Sequence, residues 1–182
     1  MLCESHDGRK AICAYLSPVD AMLEAVLASK PGKRYYAIPA GQFVPTQFVS
    51  DHDGQLVLDV HLGWPARDGQ LIARRNGRPV TCAAHHEMTV QPERADHIAC
   101  TLEPDTLSMH ERLYQNAGLV AYRETFDRVV SWPEAQRDRV VATAVRKLPR
   151  LAPAGTECNQ IALYDVTSEQ WHFTSTDALD AL

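Results

Sequence analysis

The sequence predicts a single α+β domain in which most strands precede most helices. A chain of 182 residues has the length of one domain. Apolar and polar residues alternate over about 35–84, and a helical period follows over about 92–148. Runs of strands followed by runs of helices are typical of α+β folds. One minor boundary is suggested at 149–156, where prolines and a glycine lie close together.

A first helix is predicted over residues 18–29, ahead of the strands. Ser17 suits the N-cap and Pro18 suits the first helical position. Asp20 in the first turn complements the positive end of the helix dipole. The sequence Lys30-Pro31-Gly32 then ends the helix.

The next segments have the period of a strand, and we expect them to form an antiparallel meander. They are Tyr35–Ile38, Gln42–Val49, Leu56–Leu62, Leu71–Arg74 and Val80–Ala83. Residues 50–54 have the composition of a hairpin turn. Asn76-Gly77 is typical of a type I′ turn, so we expect it to join the last two strands directly.

A helical block and a closing hairpin follow. The predicted helices are 92–102, 104–116 with Gly118 at the C-terminal cap, 120–130, and one that ends at Pro149. Ser131 and Glu134 have the spacing of a capping box for the last of these helices. Residues 161–166 and 170–174 are predicted to form the hairpin, and 177–182 a short helix.

Charge and cysteine content restrict the class of protein. The net charge is −5, which argues against a general nucleic-acid binder. Residues 151–182 contain five acids and no lysine or arginine. No apolar run reaches the roughly 20 residues of a membrane helix, and the polar start does not resemble a signal peptide. Five cysteines, an odd number, are typical of reduced thiols, so we expect a cytoplasmic protein without a membrane partner.

The sequence lacks the common motifs for cofactor binding and for a catalytic nucleophile. The chain has no glycine-rich phosphate loop and no G-x-S-x-G elbow. Cys3, Cys13 and Cys158 have no neighbouring sequence that marks one of them as a nucleophile. Carboxylates such as Glu24 and Asp59 are expected mostly in solvent. We therefore expect no cofactor and assign no catalytic residue.

A zinc site is the one metal hypothesis that the spacing allows. Cys82 and His85 form one pair with two residues between them, and His97 and Cys100 form a second, with His86 as an alternative to His85. Such pairs also arise by chance in a chain with eight histidines and five cysteines. Cys82 and Cys100 both suit buried apolar positions. We therefore favour a structural role for these residues and expect no metal.

Candidate partner-binding residues lie near two turns. Arg74, Arg75 and Arg78 surround the Asn-Gly turn, where guanidinium groups could contact an acidic surface. Charged residues at hairpin tips are also commonly just solvated. Trp64 precedes a predicted loop and is expected to be exposed, whereas Trp132 and Trp171 are expected in the core.

The function that we expect from these residues is protein binding without catalysis. A bacterial inhibitor or immunity-type protein that neutralises a toxin or effector would need no cofactor or nucleophile. The acidic 151–182 segment could steer a basic partner. The alternative is an enzyme that uses a Cys, His and carboxylate cluster, or a zinc ion, on a small molecule.

Overall fold

The computed structural model of the chain describes residues 3–6, 9–42, 46, 55–90 and 102–180. Its helices are α1 Pro18–Ala28, α2 Pro104–Asn116, α3 Tyr122–Ser131, α4 Glu134–Arg146 and α5 Asp177–Asp180. Its strands are β1 Cys3–His6, β2 Arg9–Tyr15, β3 Gln55–Arg67, β4 Gln70–Ile72, β5 Cys82–Thr89, β6 Leu151–Ala152, β7 Gln160–Asp165 and β8 Gln170–Ser175. The predicted α+β class is confirmed.

Strand β3 organises the sheet. Its first half pairs with β2 in parallel and with β5 in antiparallel orientation. Its second half pairs with β4 and β7, both antiparallel. The sheet is therefore mixed. Within the predicted meander, β3 pairs with β4 and β5, and both pairs are antiparallel.

Gly63 lies where β3 passes from one set of neighbours to the other. The register with β5 shifts between His61 and Gly63, which marks a β-bulge. A Cβ atom at position 63 would overlap with Ile161 Cγ2 and would lie 3.1 Å from Leu163 Cδ2. The absence of a side chain therefore lets β7 approach the bulge closely.

Two predicted helix ends are present. Ser17 Oγ accepts a hydrogen bond of 3.2 Å from the Asp20 amide at the start of α1. At the end of α2, Gly118 has a φ of 78°. The Leu119 amide donates to the Tyr114 carbonyl at 2.8 Å and the Gly118 amide to the Gln115 carbonyl at 2.9 Å, which is a Schellman motif.

The capping box predicted for α4 is wrong. The N-cap of α4 is Pro133, which has no side-chain donor or acceptor. Ser131 belongs to the last turn of α3, where its hydroxyl donates to the Arg128 carbonyl at 2.7 Å. The serine is thus used by the preceding helix and cannot cap the next one.

The type I′ turn was predicted at the wrong position. Asp68 and Gly69, with φ of 49° and 75°, form the two-residue connection of β3 to β4, as a type I′ turn requires. At the predicted position, Gly77 has a positive φ but Asn76 does not. Arg74 to Gly77 instead forms a turn followed by a glycine bulge, closed by the Gly77 amide and the Arg74 carbonyl at 2.9 Å.

Other strand predictions differ from the structure as well. Tyr35–Ile38 belongs to no strand, and Tyr36 is 75% exposed. Its alternation of residues therefore does not reflect burial of one face. Strands β1 and β2 were not predicted. The strand over 42–49, the turn at 50–54 and the helix over 92–102 lie largely or wholly outside the described residues.

The closing hairpin forms as predicted and completes the core. Strands β7 and β8 pair from Gln160–Ser175 to Asp165–Gln170. One apolar cluster joins α1, α4 and the second half of β3 around Trp64, and another joins α2 and α3 to β7 around Leu113. Among the described residues no helix is long and apolar enough to cross a bilayer.

Candidate functional site

A row of three chemically reactive side chains crosses the first half of the sheet. Cys13 on β2 is the register partner of Asp59 on β3, and Asp59 is the register partner of His85 on β5. Register partners project from the same face of a sheet. The three residues line a pocket of about 190 Å³ together with Tyr15, His61, Thr81 and Ala83.

Asp59 and His85 form a hydrogen-bonded pair within this row. Asp59 Oδ1 lies 2.8 Å from His85 Nδ1, while Glu87 Oε1 lies 3.5 Å from Nε2. The hydrogen bond to Asp59 raises the pKa of His85 above 6.5, and Glu87 adds to this effect. His85 is 33% exposed, so it remains accessible to a molecule in the pocket. This arrangement resembles the histidine–carboxylate pairs that orient an imidazole for proton transfer.

Tyr15 and His61 are the next register partners on the same face of the sheet, two residues after Cys13 and Asp59. Their rings lie 5.1 Å apart, and His61 is only 4% exposed. Burial, with a smaller effect of the His110 charge, lowers the pKa of His61 to about 3. His61 is therefore neutral at physiological pH. Its Nε2 is buried and has no hydrogen-bond partner among the described residues.

A buried carboxyl group lies behind His61. Asp20 Oδ2 is 4.0 Å from His61 Nδ1, and Asp20 Oδ1 accepts a hydrogen bond of 2.9 Å from the Trp64 indole. Burial raises the pKa of Asp20 to about 6, although hydrogen bonds from Trp64 and Ser17 oppose the shift. Asp20 and His61 therefore extend the polar site from the pocket into the core.

Acid should destabilise the fold because two buried imidazoles resist protonation. Burial lowers the pKa of His110 to about 4 and that of His61 to about 3. Between these pKa values and the ordinary value of 6.5, the unfolded chain binds more protons than the folded chain does. The contribution of the two neutral histidines to stability is therefore complete above pH 6.5 and is lost as the pH falls. Asp20 has the opposite sign: its contribution is present below pH 3.8 and lost as the pH rises through about 6. Asp20 therefore offsets part of the stability that the two histidines lose in acid.

The substitution His110→Phe tests this expectation. A phenyl ring keeps the contacts with Tyr114, Tyr122 and Phe126, whose centroids lie 4.7, 5.3 and 6.1 Å away. Urea unfolding should give nearly equal stability to the variant and wild type at pH 7.5. At pH 4.5 the variant should be more stable by about 2 kcal/mol. An unchanged pH dependence of stability in His110→Phe would contradict this expectation.

Cys13 is not placed as a histidine-activated nucleophile. Its neighbour across the strand pair is Asp59, whose negative charge opposes formation of a thiolate. His85 is one strand further, roughly 10 Å away between backbones. The other candidate thiol, Cys158, donates to the Gln160 carbonyl at 3.1 Å and does not line this pocket.

The hypothetical pairing of Cys82 and His85 on one zinc ion is not possible in this structure. Both lie on β5 with two residues between them, so they project from opposite faces of the strand. His86 shares a face with Cys82 but is four residues away, roughly 13 Å along a strand. His97 and Cys100 lie outside the described residues. Within the residues that the structure describes, no group of three or more His, Cys, Asp or Glu could hold a metal ion.

The expectation that Trp64 is exposed is wrong. Trp64 is 0% exposed, and its ring packs edge-on against Trp171 at 6.3 Å. The reason is that β3 continues through Pro65 to Arg67, which directs Trp64 into the core and onto Asp20. Trp64 therefore cannot contact a partner protein. Trp132 and Trp171 pack against the core, partly buried.

The three arginines at the turn have different roles. Arg74 Nη2 donates to Thr81 Oγ1 at 2.8 Å and its Nε donates to the Pro79 carbonyl, so it stabilises the turn. Arg78 forms an ion pair with Glu24, whose side chain is 2% exposed and not solvated as expected. Arg75 is exposed, and no described residue forms an ion pair with it. Only Arg75 therefore remains a candidate for partner contact.

Sequence reasoning did not find the Asp59–His85 pair. Both residues were noticed singly, Asp59 as a solvated carboxylate and His85 as a zinc ligand. The available signal was the alternation His85, Glu87 on a strand whose intervening residues are less exposed. Comparison of the chain with family models, with curated proteins and with solved structures finds no match.

Proposed function

We propose that this chain is an enzyme that transfers protons to or from a small polar molecule held in the pocket of Cys13, Tyr15, Asp59, His61 and His85. The observation that carries the proposal is the Asp59–His85 hydrogen bond of 2.8 Å at the wall of that pocket. We place the protein in the cytoplasm, because five cysteines, an odd number, are typical of reduced thiols.

His85 is the acid–base residue in this proposal. With the Nδ1 proton directed to Asp59, Nε2 can take a proton from a bound hydroxyl group or water. Asp59 and Glu87 then stabilise the imidazolium, which returns the proton in a later step. The raised pKa of His85, caused first by the hydrogen bond to Asp59, favours the protonated imidazole that this step forms.

The charges around the pocket define the substrate class. Asp59 and Glu87 are carboxylates, whereas His61 is neutral. An anionic substrate would be repelled, so we propose a neutral or cationic molecule with hydroxyl or amino groups. About 190 Å³ accommodates only a small molecule or part of a larger one.

A fragment screen by NMR tests the binding step. Neutral polyols and small amines should shift the amide signals of Cys13, Asp59, His61 and His85, and the matched carboxylates should not. His85→Ala should weaken these shifts, while His172→Ala on β8 should preserve them. Shifts that are absent, or that cluster elsewhere, would exclude this pocket as the binding site.

Turnover of a bound fragment tests the chemical step. Loss of a general base lowers rates by about 10²–10⁴-fold, so His85→Ala should reduce turnover by at least 100-fold. Asp59→Asn should also reduce it and should lower the pKa of His85 in an NMR titration. If His85→Ala turns over the fragment as fast as wild type does, the proposed role of His85 is wrong.

Protein binding is the second candidate, favoured by exposed apolar side chains. Tyr36 and Ile38 are 75% and 60% exposed in a segment without regular structure. Such residues are enriched at interfaces, and the proposed class of partner remains a toxin or effector. A stoichiometric partner that binds wild type but not a Tyr36→Ser, Ile38→Ser double variant would support this role. Equal binding by both would count against this surface.

A further inference from the structure

A second pocket, of about 220 Å³, lies where the loop between α2 and α3 meets the β7–β8 turn. Buried side chains form its floor, among them Val19, Tyr114 and Tyr164. Exposed residues form its mouth, above all Val120, which is 76% exposed. None of its lining residues belongs to the Asp59–His85 pocket.

Four aromatic residues contribute to the lining of this pocket. Tyr114 and Tyr122 lie 4.5 Å apart, and Phe126 packs edge-on against Tyr114 at 5.5 Å. Flat apolar walls favour a flat ligand, because aromatic pairs gain energy beyond the area that they bury. A cavity of about 150 Å³ lined by apolar residues is known to hold benzene, so this pocket is large enough for one ring with a substituent.

Two tyrosine hydroxyl groups of lining residues are closed to the pocket and lack hydrogen bonds. The hydroxyl oxygens of Tyr114 and Tyr164 are buried, and neither has a hydrogen-bond partner among the described residues. Ser17 lies near Tyr114, but its geometry does not make a hydrogen bond. Burial raises the pKa of both phenols, to about 12 for Tyr164, so both remain donors. A ligand with an acceptor would satisfy one of them after a small tilt of the ring.

Charge argues against an anion in the same pocket. Asp165 lies at the wall, and its carboxylate accepts hydrogen bonds from the Thr167 and Ser168 amides at 2.9 and 3.0 Å. Burial raises the pKa of Asp165, but the hydrogen bonds from Ser168 and Thr167 outweigh it and hold this pKa below its usual value, so the carboxylate stays charged. Its oxygens already have donors, which reduces their attraction for a cation.

We propose that this pocket binds a small neutral aromatic molecule that carries a hydrogen-bond acceptor. The ring lies against Tyr114, Tyr122 and Phe126, and the acceptor takes the hydrogen bond that the buried phenols lack. The site is independent of the proposed catalysis, since it shares no lining residue with the other pocket.

Binding of acetophenone, toluene, benzoate and benzylamine, followed by NMR, tests the proposal. Acetophenone should shift the amide signals of Val19, Val166 and Thr167 and should bind about fivefold more tightly than toluene. Benzoate should not bind. Benzylamine should bind more weakly than acetophenone. Absence of acetophenone binding, or tighter binding of benzylamine, would overturn the proposal.

Two sets of variants separate the pocket from a general effect on folding. Val120→Trp should abolish acetophenone binding by covering or filling the mouth, while Val130→Trp, at a position also 60% exposed, should not. Tyr164→Phe and Tyr114→Phe should each fold at least as well as wild type, because each removes an unsatisfied buried hydroxyl group. The preference for acetophenone over toluene should disappear in one of the two. Its persistence in both would refute the role of the phenols.

Discussion

Replacing Arg78 with alanine should lower the free energy of unfolding by about 3 kcal/mol, because it removes a positive charge that is paired with a buried carboxylate. Glu24 lies on α1 with a side chain only 2% exposed, and it forms an ion pair with Arg78 Nη2. The Arg78 side chain is itself 28% exposed, so the expected loss lies at the lower end of the range for buried pairs. Urea unfolding at pH 7.5 measures the difference.

Two further variants identify the cause of this loss. Arg75→Ala, three residues away on the exposed turn, should change stability by less than about 0.5 kcal/mol. In the Arg78→Ala background, Glu24→Gln should recover part of the lost stability, since a neutral amide is less costly to bury than a charge. Equal stability of the two arginine variants would show that the ion pair contributes little.

The substitution Gly63→Ala should cost about 3 kcal/mol by forcing β3 and β7 apart. The added methyl group would overlap with Ile161 Cγ2 and approach the Ala162 carbonyl oxygen to 3.3 Å. A backbone oxygen in a paired strand cannot move without breaking the register. A lower urea midpoint would be the direct measure of this loss.

Gly41→Ala provides the matched control for this prediction. A Cβ atom at position 41 would meet no heavy atom within 4 Å. The control variant should therefore unfold at nearly the same urea concentration as wild type. If Gly63→Ala behaves like the control, β7 does not pack on the bulge as closely as described.

Local signals were sufficient to predict α1 and the C-terminal hairpin. The start of α1 depends on Ser17, Pro18 and Asp20, which are neighbours in the sequence. Turn types were harder to predict, because Asn76-Gly77 and Asp68-Gly69 are both suitable for a type I′ turn. Which one closes a two-residue hairpin depends on the register of β3 and β4, and register depends on packing elsewhere.

Burial of Trp64 could not be predicted from its neighbours. A tryptophan followed by proline is typical of the end of a strand, yet β3 continues through Pro65. The partner that satisfies the indole is Asp20, which lies 44 positions earlier in the chain. A single sequence gives no sign of such a distant hydrogen bond.

The candidate site depends still more on tertiary structure. Cys13, Asp59 and His85 come from three strands, and they align because β2 pairs with β3 in parallel while β5 pairs with it in antiparallel orientation. Hydrophobic patterns identify strands but not their neighbours. The residues of the site were therefore visible in the sequence, whereas their convergence was not.

The two sets of neighbours of β3 also impose an order of assembly during translation. The partners of its first half, β2 and β5, both precede residue 90, whereas β7 begins only at residue 160. Until β7 leaves the ribosome, the second half of β3 exposes an unpaired backbone edge close to Trp64 and Ala66. Nascent chains that pause before residue 160 therefore present an edge prone to aggregation, and a chaperone that shields it would act in that interval.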